Sequence, residues 1–116
     1  MRHALCQLRE LEPSKPFAAK VGRVGVFVVR TPNGRIHVLR DICPHEGARL
    51  SRGRVLECVT GEKTGQYELV RDEFVIRCPW HGYEFDVATG RCVADPSVRV
   101  RAYEVTVEDG VVYIDR

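Results

Sequence analysis

The sequence lacks the features that would point directly to a membrane, a secreted scaffold or a nucleic acid. No apolar run approaches 18 residues, and no apolar segment follows the amino terminus, so we predict neither a membrane span nor a secretory signal. Neither sign of charge is in large excess, because 18 Lys and Arg against 16 Asp and Glu leave a net charge of +2. We therefore expect one cytoplasmic domain over residues 1–116, with no nucleic-acid or membrane partner.

A helical hydrophobic period is also missing, and strand patterns take its place. The run Val24–Arg30 is rich in β-branched residues, ends at the turn signal 31–34, and is followed by the apolar stretch 35–39. Val98–Val107 alternates, residues 108–110 form a turn, and 111–114 return. These patterns predict an all-β fold built from hairpins.

The middle of the chain predicts further short strands. Residues 55–59, 67–70 and 74–77 have strand composition. Gly61 and Gly65 indicate a turn between the first two, and Asp72-Glu73 indicates another turn before the third.

The five cysteines fall into two groups. Cys6, Cys58 and Cys92 share no spacing, and we interpret them as small, partly buried apolar residues rather than a disulfide framework. The other two begin a repeated pattern, Cys43-Pro44-His45-Glu46-Gly47 and Cys78-Pro79-Trp80-His81-Gly82.

Each copy of this pattern offers one thiolate and one imidazole, so the pair predicts a metal centre on Cys43, His45, Cys78 and His81. Two Cys on one iron and two His on the other can hold a [2Fe–2S] cluster. A structural zinc ion is the alternative for the same four ligands. The order of ligands favours the cluster, because zinc sites usually pair Cys with Cys and His with His.

The residues around the ligands suit a rigid cradle. Pro44 and Pro79 fix φ directly after each Cys, while Gly47 and Gly82 allow a positive φ. Bent backbone with inward N–H groups favours negatively charged sulfides. Trp80 and Phe85 are expected to keep water off the iron.

Other candidate residues keep two interpretations. His3 and His37 are interpreted as surface or strand histidines, and Tyr83 as core packing. Arg49, Arg52 and Arg54 are either solvated loop charges or a patch that docks a redox partner.

The chain resembles the Rieske ferredoxin family in two long motifs. These are Cys43-Pro-His45-Glu-Gly47-Ala-Arg-Leu50-Ser-Arg-Gly53 and Cys78-Pro-Trp-His81-Gly82-Tyr-Glu-Phe85-Asp-Val-Ala-Thr89-Gly90. The resemblance implies three small antiparallel sheets, a cluster-binding subdomain at about 40–96, and a base from 1–39 and 97–116. It also implies one [2Fe–2S] cluster per chain, with Cys43 and Cys78 on the inner iron and His45 and His81 on the outer one. The residues it places around the cluster are Pro44, Gly47, Leu50, Pro79, Trp80, Gly82, Tyr83 and Phe85.

Departures from the family pattern predict a low reduction potential. High-potential members brace their loops with a disulfide, but Ala48 and Trp80 occupy those positions here. Tyr83 and Phe85 stand where those members place Ser and Tyr hydroxyls near sulfur. The 32 residues between His45 and Cys78 exceed the spacing common in these ferredoxins, and we assign the surplus to an extra hairpin at 57–74.

The resemblance implies an electron-transfer protein rather than an enzyme. It would carry single electrons from a flavin reductase to a terminal oxygenase or a similar enzyme. A small subunit of a larger reductase, of the nitrite reductase kind, is the alternative. A zinc-stabilised interaction module remains a further one.

Overall fold

A computed structural model describes residues 1–44, 47–63, 66–80 and 82–116, with the backbone alone for 58–63 and 66–73. In these parts of the chain, ten strands form three small antiparallel sheets, and helical structure is limited to two 3₁₀ turns. The predicted all-β fold class is therefore confirmed. The strands are β1 Arg2–Gln7, β2 Phe17–Val21, β3 Val24–Arg30, β4 Ile36–Arg40, β5 Arg54–Lys63, β6 Gln66–Arg77, β7 Glu84–Asp86, β8 Ala102–Tyr103, β9 Val105–Glu108 and β10 Val111–Asp115.

The hairpins predicted from residues 24–39 and from the turn at 108–110 are both present, but they lie in different sheets. β3 and β4 lie in a four-stranded sheet of order β2-β3-β4-β8, and β9 and β10 in a three-stranded sheet of order β1-β10-β9. Asp109 and Gly110 have φ of 51° and 74°, the positive values that a tight two-residue hairpin turn requires.

The alternating pattern of residues 98–107 predicted one strand, but the structure divides this stretch between two sheets. Ala102–Tyr103 in its middle pairs with β4 as β8, and Val105–Glu108 pairs with β10 as β9. Val98 and Val100 pack in one hydrophobic core and Val105 in the other, so the chain changes sheet as it passes between the cores.

The third sheet has the order β5-β6-β7 and contains the hairpin expected at 57–74. The turn predicted at Asp72-Glu73 is wrong, because β6 runs unbroken from Gln66 to Arg77. Glu57 pairs with Phe74 and Val59 with Leu69, so β6 advances five positions while β5 advances two. Asp72 and Glu73 instead lie within this irregularity of the β5–β6 ladder, where β6 has more residues than β5.

Two hydrophobic cores share the β3–β4 hairpin as a wall. Phe27 and Leu39 face the core that also contains Cys43 and Cys78. Val28 and Val38 face the core of the base, against Val112 and Ile114 of β10 among others. Successive side chains of a strand point to opposite faces, so an unbroken apolar run such as Val26–Val29 is buried on both sides. The first of these cores positions the candidate site. No helix of the described residues is long and apolar enough to cross a membrane.

Candidate metal centre

The first ligand loop, residues 40–54, turns tightly around the positions predicted to bind metal. The Cys43 N–H donates to the carbonyl of Ala48 at 2.7 Å, and the Gly47 N–H donates to the carbonyl of Cys43 at 2.8 Å. Gly47 has φ of +69°, a value that glycine adopts at little cost, as its position in the motif predicted. The Cys43 side chain is buried.

The second ligand loop, residues 78–96, begins with a hydrogen bond that matches the one made by the Cys43 N–H. The Cys78 N–H donates to the carbonyl of Tyr83 at 2.7 Å, so each ligand cysteine bonds to the carbonyl five positions ahead. The Gly82 N–H donates to the carbonyl of Trp80 at 2.7 Å, and Gly82 has φ of +71°. Cys78 is as deeply buried as Cys43.

The two predicted histidine ligands, His45 and His81, lie outside the described residues. Their assignment therefore stays a prediction from the sequence. The structure describes the two thiols of the set and the backbone turns that carry them.

These two thiols fit a cluster held by a pair of cysteines. Both are free of disulfides, only 1% exposed, and part of the same hydrophobic core. Such a dry setting excludes water from the inner side of a metal centre and raises the effect of nearby N–H dipoles on it. Cys6 and Cys92 are also free and buried, as their scattered spacing predicted, while the side chain of Cys58 lies outside the described residues.

The side chains expected around the cluster divide into buried and exposed groups. Leu50 and Phe85 are completely buried, and Tyr83 is half-buried against the same core. Pro44, Pro79 and Gly82 are exposed. Trp80 is 57% exposed at the tip of the second loop, so its ring gives less cover than the sequence suggested.

A buried carboxylate braces the first loop, and the sequence analysis missed it. Asp41 is only 8% exposed and accepts two hydrogen bonds from Ser51, from the N–H at 2.7 Å and from the hydroxyl at 2.6 Å. Arg49 Nε lies 3.6 Å from Asp41 Oδ2. Ser51 belongs to the 3₁₀ turn Leu50–Arg52, so Asp41 satisfies an N–H that the turn leaves unpaired. The only signals for this brace in the sequence were an Asp before Cys43 and a Ser after Gly47.

The two loops meet through backbone rather than through a disulfide. A Cβ atom added at Gly53 would lie 1.9 Å from the carbonyl oxygen of Arg77, the residue directly before Cys78. Arg54 and Arg77 are partners in the β5–β6 ladder. The exit of the first loop therefore rests on the strand that leads into the second.

Gly90 closes the second loop in the same way. Its φ is +80°, and a Cβ atom there would lie 1.9 Å from the carbonyl oxygen of Val100. The Val100 N–H donates to the carbonyl of Gly90 at 2.7 Å, which fixes the loop against the chain returning to the base.

Comparison with known proteins assigns the class. A family model described as the Rieske [2Fe–2S] domain matches residues 1–104. The chain therefore belongs to the Rieske [2Fe–2S] domain family, and the family and cofactor predicted from the two motifs are confirmed.

Individual relatives add detail. The chain is 27% identical to the ferredoxin component of the p-cumate 2,3-dioxygenase system of Pseudomonas putida, over 96% of this chain and 82% of that protein. It is 30% identical to human apoptosis-inducing factor 3 over 96% of this chain, but spans only 16% of that protein's length.

Two solved structures agree in fold. The Sphingomonas yanoikuyae B1 ferredoxin superposes with a TM-score of 0.76 at 30% identity, covering 100% of this chain and 99% of that one. A putative NADH-dependent nitrite reductase small subunit from Mycobacterium tuberculosis has a TM-score of 0.80 at 24% identity, covering 100% and 95%. Both ferredoxins are matched over nearly the whole of this chain and over most of their own length.

Proposed function

We propose that this chain carries single electrons between a flavin reductase and a terminal oxygenase, on a [2Fe–2S] cluster held by Cys43, His45, Cys78 and His81. The observation that carries the proposal is the pair of matching cysteines, each of which donates its N–H to the carbonyl five positions ahead and is buried in the same core. The cluster would supply one-electron redox chemistry, and the chain's own residues would position and shield it. The single domain over 1–116, divided near residues 40 and 96, is part of this proposal.

The oxygenase partner is supported by the full-length ferredoxin relative, whose name places it in a dioxygenase system. A subunit of a nitrite reductase is the second candidate. It is favoured by the fold alone, because the structural likeness to such a subunit comes with 24% identity. Co-purification separates the two, since a reductase subunit should elute in a stable complex and a shuttle carrier should not. A cytoplasmic location stays a prediction from the sequence.

Metal content tests the ligand set. The purified protein should be red-brown, contain two irons per chain, and give a rhombic EPR signal on reduction. Cys78→Ser and His81→Ala should each lose the cluster, whereas Cys92→Ser, a matched change at another buried cysteine of the same core, should keep it. Folded protein that carries one zinc and no iron would contradict the proposal.

We further propose a low reduction potential for the cluster, near the lower limit of about −150 mV for Rieske centres. Phe85 is fully buried and has no hydroxyl, and no disulfide can join Ala48 to Trp80. The reduced cluster, which carries one more negative charge, therefore has fewer donors to stabilise it. Phe85→Tyr should raise the potential measured by protein-film voltammetry, while Phe27→Tyr, in the same core on β3, should not.

A further inference from the structure

We propose that a cleft lined by Arg52, Arg54 and Arg77 beside the second ligand loop receives a carboxylate side chain of the protein that exchanges electrons with the cluster. The proposal rests on the electron-carrier function proposed above and names the chemistry of the surface that the partner presents.

The cleft is open, has a volume of about 370 Å³, and lies directly against the candidate metal centre. Cys78, Pro79 and Gly82 form one side of it. These residues precede and follow the predicted ligand His81 in the sequence. A group bound in the cleft would therefore contact the segment that carries the second pair of ligands.

The cleft concentrates positive charge. Arg52 and Arg54 are exposed, and among the side chains that the structure describes no carboxylate lies within 4.0 Å of either guanidinium. Arg77 is half-exposed and donates to Glu84 Oε2 at 3.0 Å. Among the described side chains, three guanidinium groups against one carboxylate leave an excess of two positive charges around the cleft.

This arrangement opposes the stability of the fold, which is why we assign it a function. Arg54 and Arg77 are direct partners across the β5–β6 ladder, and like charges at opposite positions of a sheet are destabilising. Arg52 joins them because Gly53, without a Cβ, lets the backbone approach the Arg77 carbonyl. A carboxylate placed among the three would relieve the repulsion, and guanidinium groups bind carboxylates through paired, charge-assisted hydrogen bonds.

The structure also separates Arg49 from this surface. Arg49 was grouped with Arg52 and Arg54 as a possible docking patch, but it does not line the cleft and its guanidinium lies beside Asp41. Arg77, which the sequence analysis did not consider, takes its place.

Small redox probes of opposite charge test the cleft without a known partner. The reduced holoprotein is mixed in a stopped-flow instrument with ferricyanide, an anion, or with tris(phenanthroline)cobalt(III), a cation. In Arg52→Glu/Arg54→Glu the second-order rate constant with ferricyanide should fall at least tenfold at low ionic strength, and that with the cobalt complex should rise. Both differences should shrink as salt is added, because the Debye length shortens. Equal changes with both probes would indicate an altered potential and overturn the proposal.

A matched control carries the same charge change at the far end of the base. Arg9 and Arg35 are exposed, and the β3–β4 turn that holds Arg35 lies at the opposite end of β4 from the first ligand loop. Arg9→Glu/Arg35→Glu should change either rate less than threefold. Equal effects of the two double variants would mean that net charge alone matters and would overturn the proposal.

A glutamate peptide then tests recognition of an acidic protein surface. Oligoglutamate should slow the oxidation by ferricyanide of wild type and of Arg9→Glu/Arg35→Glu, but not of Arg52→Glu/Arg54→Glu. Sodium sulfate at the same ionic strength should inhibit less. Inhibition equal to that by sulfate would show that the cleft binds simple anions only and would overturn the assignment to a protein carboxylate. Wild-type protein that never binds iron would instead refute the electron-carrier function itself.

Discussion

The two ligand loops share one backbone hydrogen bond but are supported in different ways. In each, a buried cysteine donates its N–H to the carbonyl five positions ahead, and a glycine with φ near +70° follows. The first loop is fixed by side chains, through buried Asp41 and its bonds to Ser51. The second exposes Trp80 and Pro79 at its tip, and the ion pair beside it, between Arg77 and Glu84, is open to solvent.

The two kinds of support differ in the stability that they contribute. Hydrogen bonds to a buried charge contribute about 1.5–3 kcal/mol each, whereas an exposed ion pair contributes about 0–1 kcal/mol. Side-chain hydrogen bonds therefore stabilise the first loop more than the second, which presents a charged and aromatic surface. Gly53 joins the two, because it lets the end of the first loop rest on the strand that leads into the second.

Gly53→Ala should disturb both loops at once, because it separates the end of the first from the strand that leads into the second. The new Cβ would lie 1.9 Å from a backbone carbonyl, so the backbone has to move. We expect a loss of about 1–3 kcal/mol in the free energy of unfolding, together with reduced iron content. Urea denaturation and iron analysis measure both.

Gly25→Ala is the matched control, since a Cβ there meets only the Asp41 Cβ at 3.8 Å, an ordinary contact. Equal stability losses in the two alanine variants would show that the approach of Gly53 to Arg77 does not hold the loops together.

Asp41→Ala and Glu84→Ala compare the supports directly. Removing Asp41 leaves the Ser51 N–H and hydroxyl without their partner in a nearly buried place, and should cost about 1–3 kcal/mol. Removing Glu84 breaks a pair whose Arg77 side chain is 53% exposed, and should cost less than about 1 kcal/mol. Thermal unfolding at fixed protein concentration measures both. A larger loss for Glu84→Ala would show that the second loop has the stronger side-chain support.

Trp80→Ala should have a smaller effect than either. A ring that is 57% exposed contributes little to the core, so we expect a change within about 0.5 kcal/mol and unchanged iron content. Phe85→Ala, which empties a fully buried site in the same loop, should cost about 3–5 kcal/mol and serves as the contrast. Rapid bleaching of the visible spectrum in Trp80→Ala alone would show that the indole shields the iron after all.

Features set by neighbouring residues along the chain could be predicted from the sequence. β-Branched runs ended by turn residues located the β3–β4 and β9–β10 hairpins. Glycines at fixed offsets from each cysteine predicted the positive φ of Gly47 and Gly82.

Features that depend on register or on distant contacts could not be predicted in this way. Asp41 meets Ser51 only because the loop folds back on itself, and Arg54 faces Arg77 only in the ladder that β5 and β6 adopt. The Asp72-Glu73 turn was wrong for the same reason, since these residues lie inside an irregularity of the β5–β6 ladder between the pairs of Leu69 and Phe74.

The smallest expected effect concerns His37, on the strand that leads into the first loop. Burial lowers the pKa of His37 below its usual value, Arg35 lowers it further, and Asp86 of β7 opposes the shift. The unfolded chain then binds the proton more readily than the folded chain, so His37 stabilises the fold fully above the unfolded pKa of about 6.5. This contribution is lost as the pH falls from there through the folded pKa. The difference in unfolding free energy between wild type and His37→Gln should therefore depend on pH below neutrality. A difference that stays constant from pH 8 to pH 5 would show that the folded and unfolded chains bind the His37 proton equally well, and would contradict the prediction.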